Sequence, residues 1–177
     1  MLRFVAVIDN PLSQTRVGVV TEWVAMEAAD AIVGSVKTHQ PPLAGRSTHT
    51  YVGGAGSVLL TGTPVAVSVN VVNKGTLTKE AGDTWAVDSV SLTPEFRTGE
   101  YRVTATVTTG SRTVAAAQIT ANVVLKDAAG SIVGADFETP ENLPAAVPPN
   151  TKFAVEFRFV SSTSEPATAE VTAYASQ

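Results

Sequence analysis

The chain has 177 residues, room for one large or two small domains; 44% are hydrophobic and only 16% charged, against about 25% charged in an ordinary soluble domain. Its net charge of −4, from 12 basic and 16 acidic residues without a basic run, argues against nucleic-acid recognition through phosphates. The absence of cysteine excludes disulfides, thiolate zinc sites and cysteine nucleophiles.

In chain order, residues 2–8 are apolar, but Arg3 interrupts them and Asp9-Asn10-Pro11 closes them as an Asx-type turn. This is far short of the roughly 20 apolar residues of a membrane span and lacks the layout of a signal peptide. Residues 17–27 contain good helix formers but read as a strand, with a tight turn at 28–31, because the segment is repeated. Met26-Glu27-Ala28-Ala29-Asp30-Ala31-Ile32-Val33-Gly34 returns as Lys126-Asp127-Ala128-Ala129-Gly130-Ser131-Ile132-Val133-Gly134, with five of nine residues identical at an offset of 100. The second copy is clearly strand, turn, strand. A self-match at fixed offset predicts a chain built twice from one unit.

His39 and His49 flank Pro41-Pro42 and Gly45 and read as loop histidines, since a zinc site needs three or four ligands and no His-x3-His spacing exists. Gly53-Gly54-Ala55-Gly56 fails as a dinucleotide loop: Leu59 stands where the third glycine belongs, and strand follows. Val65, Val67, Val69 and Val71 alternate with small polar residues as a strand, and residues 53–73 read as extra material closing the first sheet. The polar stretch 74–83 reads as a linker. These boundaries predict an all-β protein of two tandem immunoglobulin-like antiparallel β-sandwich units, 1–73 and 84–177.

In the second unit, residues 85–93 open as a strand. Tyr101, Val103, Ala105 and Val107 share one strand face, as do Ile119, Ala121, Val123 and Leu125, and Phe153, Val155, Phe157 and Phe159. Trp23 and Trp85 are expected to anchor one core each. Asp136 and Glu138 lie on one strand face near Glu141, but no calcium-loop pattern surrounds them, so they read as a solvated face. No Gly-x-Ser-x-Gly elbow exists. Catalytic, cofactor-binding and metal-ligating residues are therefore all expected to be none. Phe153, Phe157, Phe159 and Tyr174 form the aromatic cluster that would mark a contact patch if Tyr174 pointed outward.

Val123-Val124-Leu125-Lys126-Asp127, Gly130, Ile132-Val133, Val147-Pro148-Pro149-Asn150 and Phe153-Ala154-Val155-Glu156-Phe157 together resemble the bacterial FxLYD-type immunoglobulin-like domain, best over residues 119–160. Lys126 stands where that family has its aromatic, and the first copy, with Ala25-Met26-Glu27, departs further. The resemblance implies an immunoglobulin-like fold in a non-catalytic accessory or surface module.

The expected function is thus structural: rigid sandwiches presenting loops and sheet edges for assembly, first as a virion component (phage head decoration or tail), alternatively as an exported bacterial cell-surface or periplasmic binding module. The expected partners are proteins, including copies of the chain itself; nucleic acid and membrane insertion are not expected. The expected location is the virion if Met1 is the native start, and otherwise extracellular or periplasmic after loss of a leader. The expected contact regions are residues 38–50, 51–60 and 138–150, the longest Pro- and Gly-containing connections.

Overall fold

The computed structural model describes residues 3–28, 30–40, 42–43, 46–54, 60–78 and 85–175, without the side chains of 3, 4, 39, 47 and 49–54. Among these residues the protein is all-β and antiparallel, with one 3₁₀ turn at Ala116–Gln118 and no α-helix. The chain falls into two compact units, Met1–Gly82 and Asp83–Ser176.

The second unit shows how the alternating pattern builds a core. One sheet joins β8 (Ala86–Pro94), β9 (Glu100–Thr108) and β14 (Lys152–Ser161) in the order β14-β9-β8. The other joins β11 (Ile119–Lys126), β12 (Ile132–Glu138) and β15 (Thr168–Ala175) in the order β12-β11-β15. Every second residue of β9 (Val103, Ala105, Val107) meets Ala121, Val123 and Leu125 of β11 and Val155, Phe157 and Val160 of β14 in one buried cluster. This is two sheets packed face to face. Two short strands, β10 (Val114–Ala115) and β13 (Ala146–Val147), pair at one end, where Val147 is fully buried.

The first unit repeats this plan. β1 (Arg3–Asn10) pairs with β5 (Ser47–Gly54), as β9 pairs with β14. β3 (Val20–Met26), β4 (Ile32–His39) and β6 (Ala66–Asn73) form the order β4-β3-β6, matching β12-β11-β15. The repeated hairpin keeps the same two backbone turn bonds. Glu27 N–H donates to Ala31 O (3.0 Å) and Asp30 N–H to Glu27 O (3.2 Å); Asp127 N–H donates to Ser131 O (3.0 Å) and Gly130 N–H to Asp127 O (3.0 Å). Both hairpins also carry the same bulge, at Ala25/Met26 and at Leu125/Lys126.

Several sequence expectations are corrected. β6 is the counterpart of β15, so residues 66–73 are not extra to the first unit. Within 74–83, β7 (Thr76–Thr78) pairs with β2 (Thr15–Val17), so part of the expected linker belongs to the first unit's fold. His39 and His49 lie in β4 and β5, not in loops. Phe159 leaves the face of Phe153, Val155 and Phe157: a bulge between Phe157 and Val160, with Phe159 at φ 58°, turns Val160 into the core instead. Trp85 immediately precedes β8 rather than lying in it.

Candidate interaction surface

The two units differ in one strand. In the second, β8 pairs along β9 from Ala86↔Thr108 to Pro94↔Tyr101 and packs against β15. Trp85, Val87 and Leu92 thereby cover the core side of Ala169, Val171 and Ala173. In the first unit, β1 pairs with β5 alone, and no strand among the described residues lies along its other edge.

The consequence appears on β6. Val67, Val69 and Val71 stand opposite Ala25, Trp23 and Thr21, just as Ala169, Val171 and Ala173 stand opposite Leu125, Val123 and Ala121. Opposed residues of an antiparallel pair share a face. The β3 residues are buried, yet the three valines are 42%, 38% and 50% exposed, whereas Val171 is 8% exposed. The valine stripe is open, and among the described residues no strand of the first unit takes the place that β8 takes in the second. Burying what remains exposed of three such side chains is worth roughly 1 kcal/mol each.

Among the described residues the β1 edge is unpaired on one side and unbroken. Its register with β5 runs from Arg3↔Gly54 to Asn10↔Ser47 without a shift, so the strand is regular over its whole length. β8, the free edge of the second unit, is instead interrupted by a bulge between Asp88 and Ser91, with Ser89 at φ 55°, and ends on Pro94. Bulges and prolines blunt edges against pairing. The outward positions differ too: Val7 of β1 is 57% exposed, whereas the residues of β9 that alternate with its buried Val103, Ala105 and Val107 include Thr104 and Thr106.

Beneath the stripe, Trp23 is fixed by a polar cluster. Its Nε1–H is shared between Thr21 Oγ1 (3.1 Å) and Thr38 Oγ1 (2.9 Å), and Gln40 Nε2 donates to both hydroxyls (2.6 and 2.9 Å). The indole is thus a core anchor with its donor satisfied. In the second unit Trp85 is half-buried, edge-on to Phe153 with centroids 6.4 Å apart.

The remaining candidates separate. Asp136 and Glu138 lie on β12 opposite Val123 and Ala121, and Asp136 Oδ1 accepts the Phe137 N–H (2.8 Å). Glu141 follows in a loop, and among the described residues no three His, Cys, Asp or Glu side chains are grouped to hold a metal. Phe157 is fully buried, while Phe159 meets the exposed Phe96 edge-on at 5.9 Å, with the Arg97 guanidinium over Phe96 at 5.3 Å. Tyr174 is half-buried on the face of β15 opposite to that of Val171 and Ala173; burial pushes its hydroxyl above the ordinary tyrosine range, opposed by the neighbouring Asn122 amide. On the outer face of the sheet, Arg102 bridges Glu95 (2.8 Å) and Glu156 (3.4 Å), and Arg158 joins Glu156 (3.0 Å). The Arg158 hydrogen bond is the main reason the Glu156 carboxyl lies below its usual range.

The expected contact loops are partly structural. Leu43, inside 38–50, is buried and bonded to Arg16 through both backbone groups (2.9 and 2.8 Å). Ala146 and Val147, inside 138–150, form β13. Of 51–60, residues 51–54 end β5, and Ala55, Gly56 and Leu59 lie outside the described residues. Sequence reasoning missed the β6 stripe as a surface because its alternation looks the same whether or not a strand covers it. No protein-family model and no curated protein matches the chain.

Proposed function

We propose that the chain is a non-enzymatic structural and interaction protein of two immunoglobulin-like sandwiches, whose first unit is completed by a strand it receives. In this reading β8, β9 and β14 take the A, B and E positions of an immunoglobulin sheet, and β12, β11 and β15 the C′, C and F positions. Among the described residues the first unit then lacks the A-position strand. One observation carries the reading: Val67, Val69 and Val71 are open in a unit whose β1 edge is regular and unblunted. Strand addition uses such an edge for affinity through backbone hydrogen bonds, and the adjoining apolar positions for specificity.

The setting we propose is a virion, in head decoration or a tail, where low surface charge and closely packed neighbours go together. An exported bacterial surface or periplasmic module is the second reading, supported by the likeness of the repeated Asp–Gly hairpin to the FxLYD pattern. A secretory leader in the native reading frame would favour the second.

The experiment that tests strand reception is an NMR titration of the full chain with a peptide of residues 84–94, the β8 sequence. We expect saturable shifts at β1 and β6 amides, lost when Val87 and Leu92 of the peptide become Asp. Absence of any shift at those strands in the monomeric chain sinks the proposal.

A further inference from the structure

We infer that the strand received by β1 is the β1 of a second copy of this chain, laid antiparallel across a two-fold axis at Ala6. The inference rests on the strand-receiving reading above and names the partner of that same edge. β8 of another copy is not available, since it already lies along its own β9.

The β1 sequence is self-complementary in this register. With Ala6 opposite Ala6 of the second copy, Val5 stands opposite Val7, Phe4 opposite Ile8, and Arg3 opposite Asp9. Residues 4, 6 and 8 alternate with 5, 7 and 9, so core-side residues meet core-side residues and outward ones meet outward ones. On the outer face this brings Val5 and Val7 of both copies into one apolar group, and the register sets position 3 opposite position 9 at each end. Opposite charges directly across an antiparallel pair stabilise it and like charges oppose it. This also accounts for the exposed Val7, where the outward residues of β9, already covered by β8, include Thr104 and Thr106. The resulting sheet runs β5-β1-β1-β5 through both copies, and the second β1 takes the place beside β6 that β8 takes beside β15.

The chain has no cysteine, so introduced thiols report the register without background. Directly opposed residues in an antiparallel pair have Cα atoms about 4.5–5.5 Å apart, within disulfide range. Oxidised Ala6→Cys should form a covalent dimer by itself. Val5→Cys should not, but a mixture of Val5→Cys and Val7→Cys proteins should cross-link. In light scattering after size exclusion, wild-type protein should run at twice the chain mass. Arg3→Asp or Asp9→Arg should each weaken the dimer about tenfold, and the double variant should restore it. Circular dichroism of each variant checks that β1 still folds.

A monomeric wild-type chain that still binds the 84–94 peptide at β1 overturns the second copy as occupant but leaves strand reception standing. A dimer indifferent to the charge exchange, with no Ala6→Cys cross-link, overturns the β1 pairing. A monomer that also ignores the peptide overturns both.

Discussion

Asp30 and Gly130 occupy one position in two copies of the same turn, at φ 59° and 81°. The left-handed region costs a residue with a β-carbon about 1–2 kcal/mol, less for Asp, whose short polar side chain tolerates it. Nothing lies within 4 Å of where a Gly130 β-carbon would sit, so Gly130→Ala carries only the torsional penalty. It should destabilise the second unit by about 1 kcal/mol, and Asp30→Gly should leave the first unit unchanged or up to about 0.5 kcal/mol more stable. Urea unfolding of the two variants measures both; a larger loss at Asp30 than at Gly130 would contradict the shared turn. Tyr174 supplies a pH dependence. Burial raises its folded value above the ordinary 10.0. The unfolded chain therefore ionises first, so the tyrosine's contribution is full below pH 10.0 and is lost as pH climbs through the folded value. Tyr174→Phe should flatten the fall in stability above pH 10.0, read as thermal midpoint against pH.

Strand faces were legible where the period of two ran unbroken, as in β9, where Val103, Ala105 and Val107 are buried as the alternation requires. They failed at the β14 bulge, because a residue inserted at positive φ shifts the alternation without changing composition. Phe157 and Phe159 show the difference: one is fully buried, the other 45% exposed. Phe157→Ala should cost the second unit about 3–5 kcal/mol. Phe159→Gly, which removes an exposed ring from a left-handed position, should cost under about 0.5 kcal/mol or be stabilising. Unfolding followed by Trp85 fluorescence compares them, and equal losses would place both rings in the core. The β6–β15 correspondence was hidden for a related reason. The offset grows from 100 to 102 between the hairpin and these strands, and only the alternation survives, which any strand shares. What locates β6 is its register on Thr21, Trp23 and Ala25, a tertiary fact. The histidine expectation failed because a proline or glycine marks a break without saying how close to it the strands run: β4 reaches His39 and β5 starts at Ser47.

At the scale of the whole chain, duplication gives two units of one plan with unequal closure. The second unit closes its core with β8; the first leaves Val67, Val69 and Val71 open, and its Trp23 is held by the hydroxyls of Thr21 and Thr38 where the aligned Ala121 and Val123 are aliphatic. Less apolar area leaves water when the first unit folds, so it should be the less stable of the two. Each unit carries one tryptophan, Trp23 and Trp85. Trp85→Phe leaves a reporter in the first unit, and Trp23→Phe one in the second, where fluorescence midpoints in urea can be read separately. The Trp23 signal should change at lower urea than the Trp85 signal, and the far-ultraviolet signal of the wild-type chain should follow both steps. Adding the 84–94 peptide, or raising protein concentration if copies pair through β1, should move only the Trp23 transition upward, because a ligand that binds the folded form of one unit stabilises that unit alone. Coincident transitions insensitive to both additions would mean that the exposed valines do not weaken the first unit and that nothing completes it.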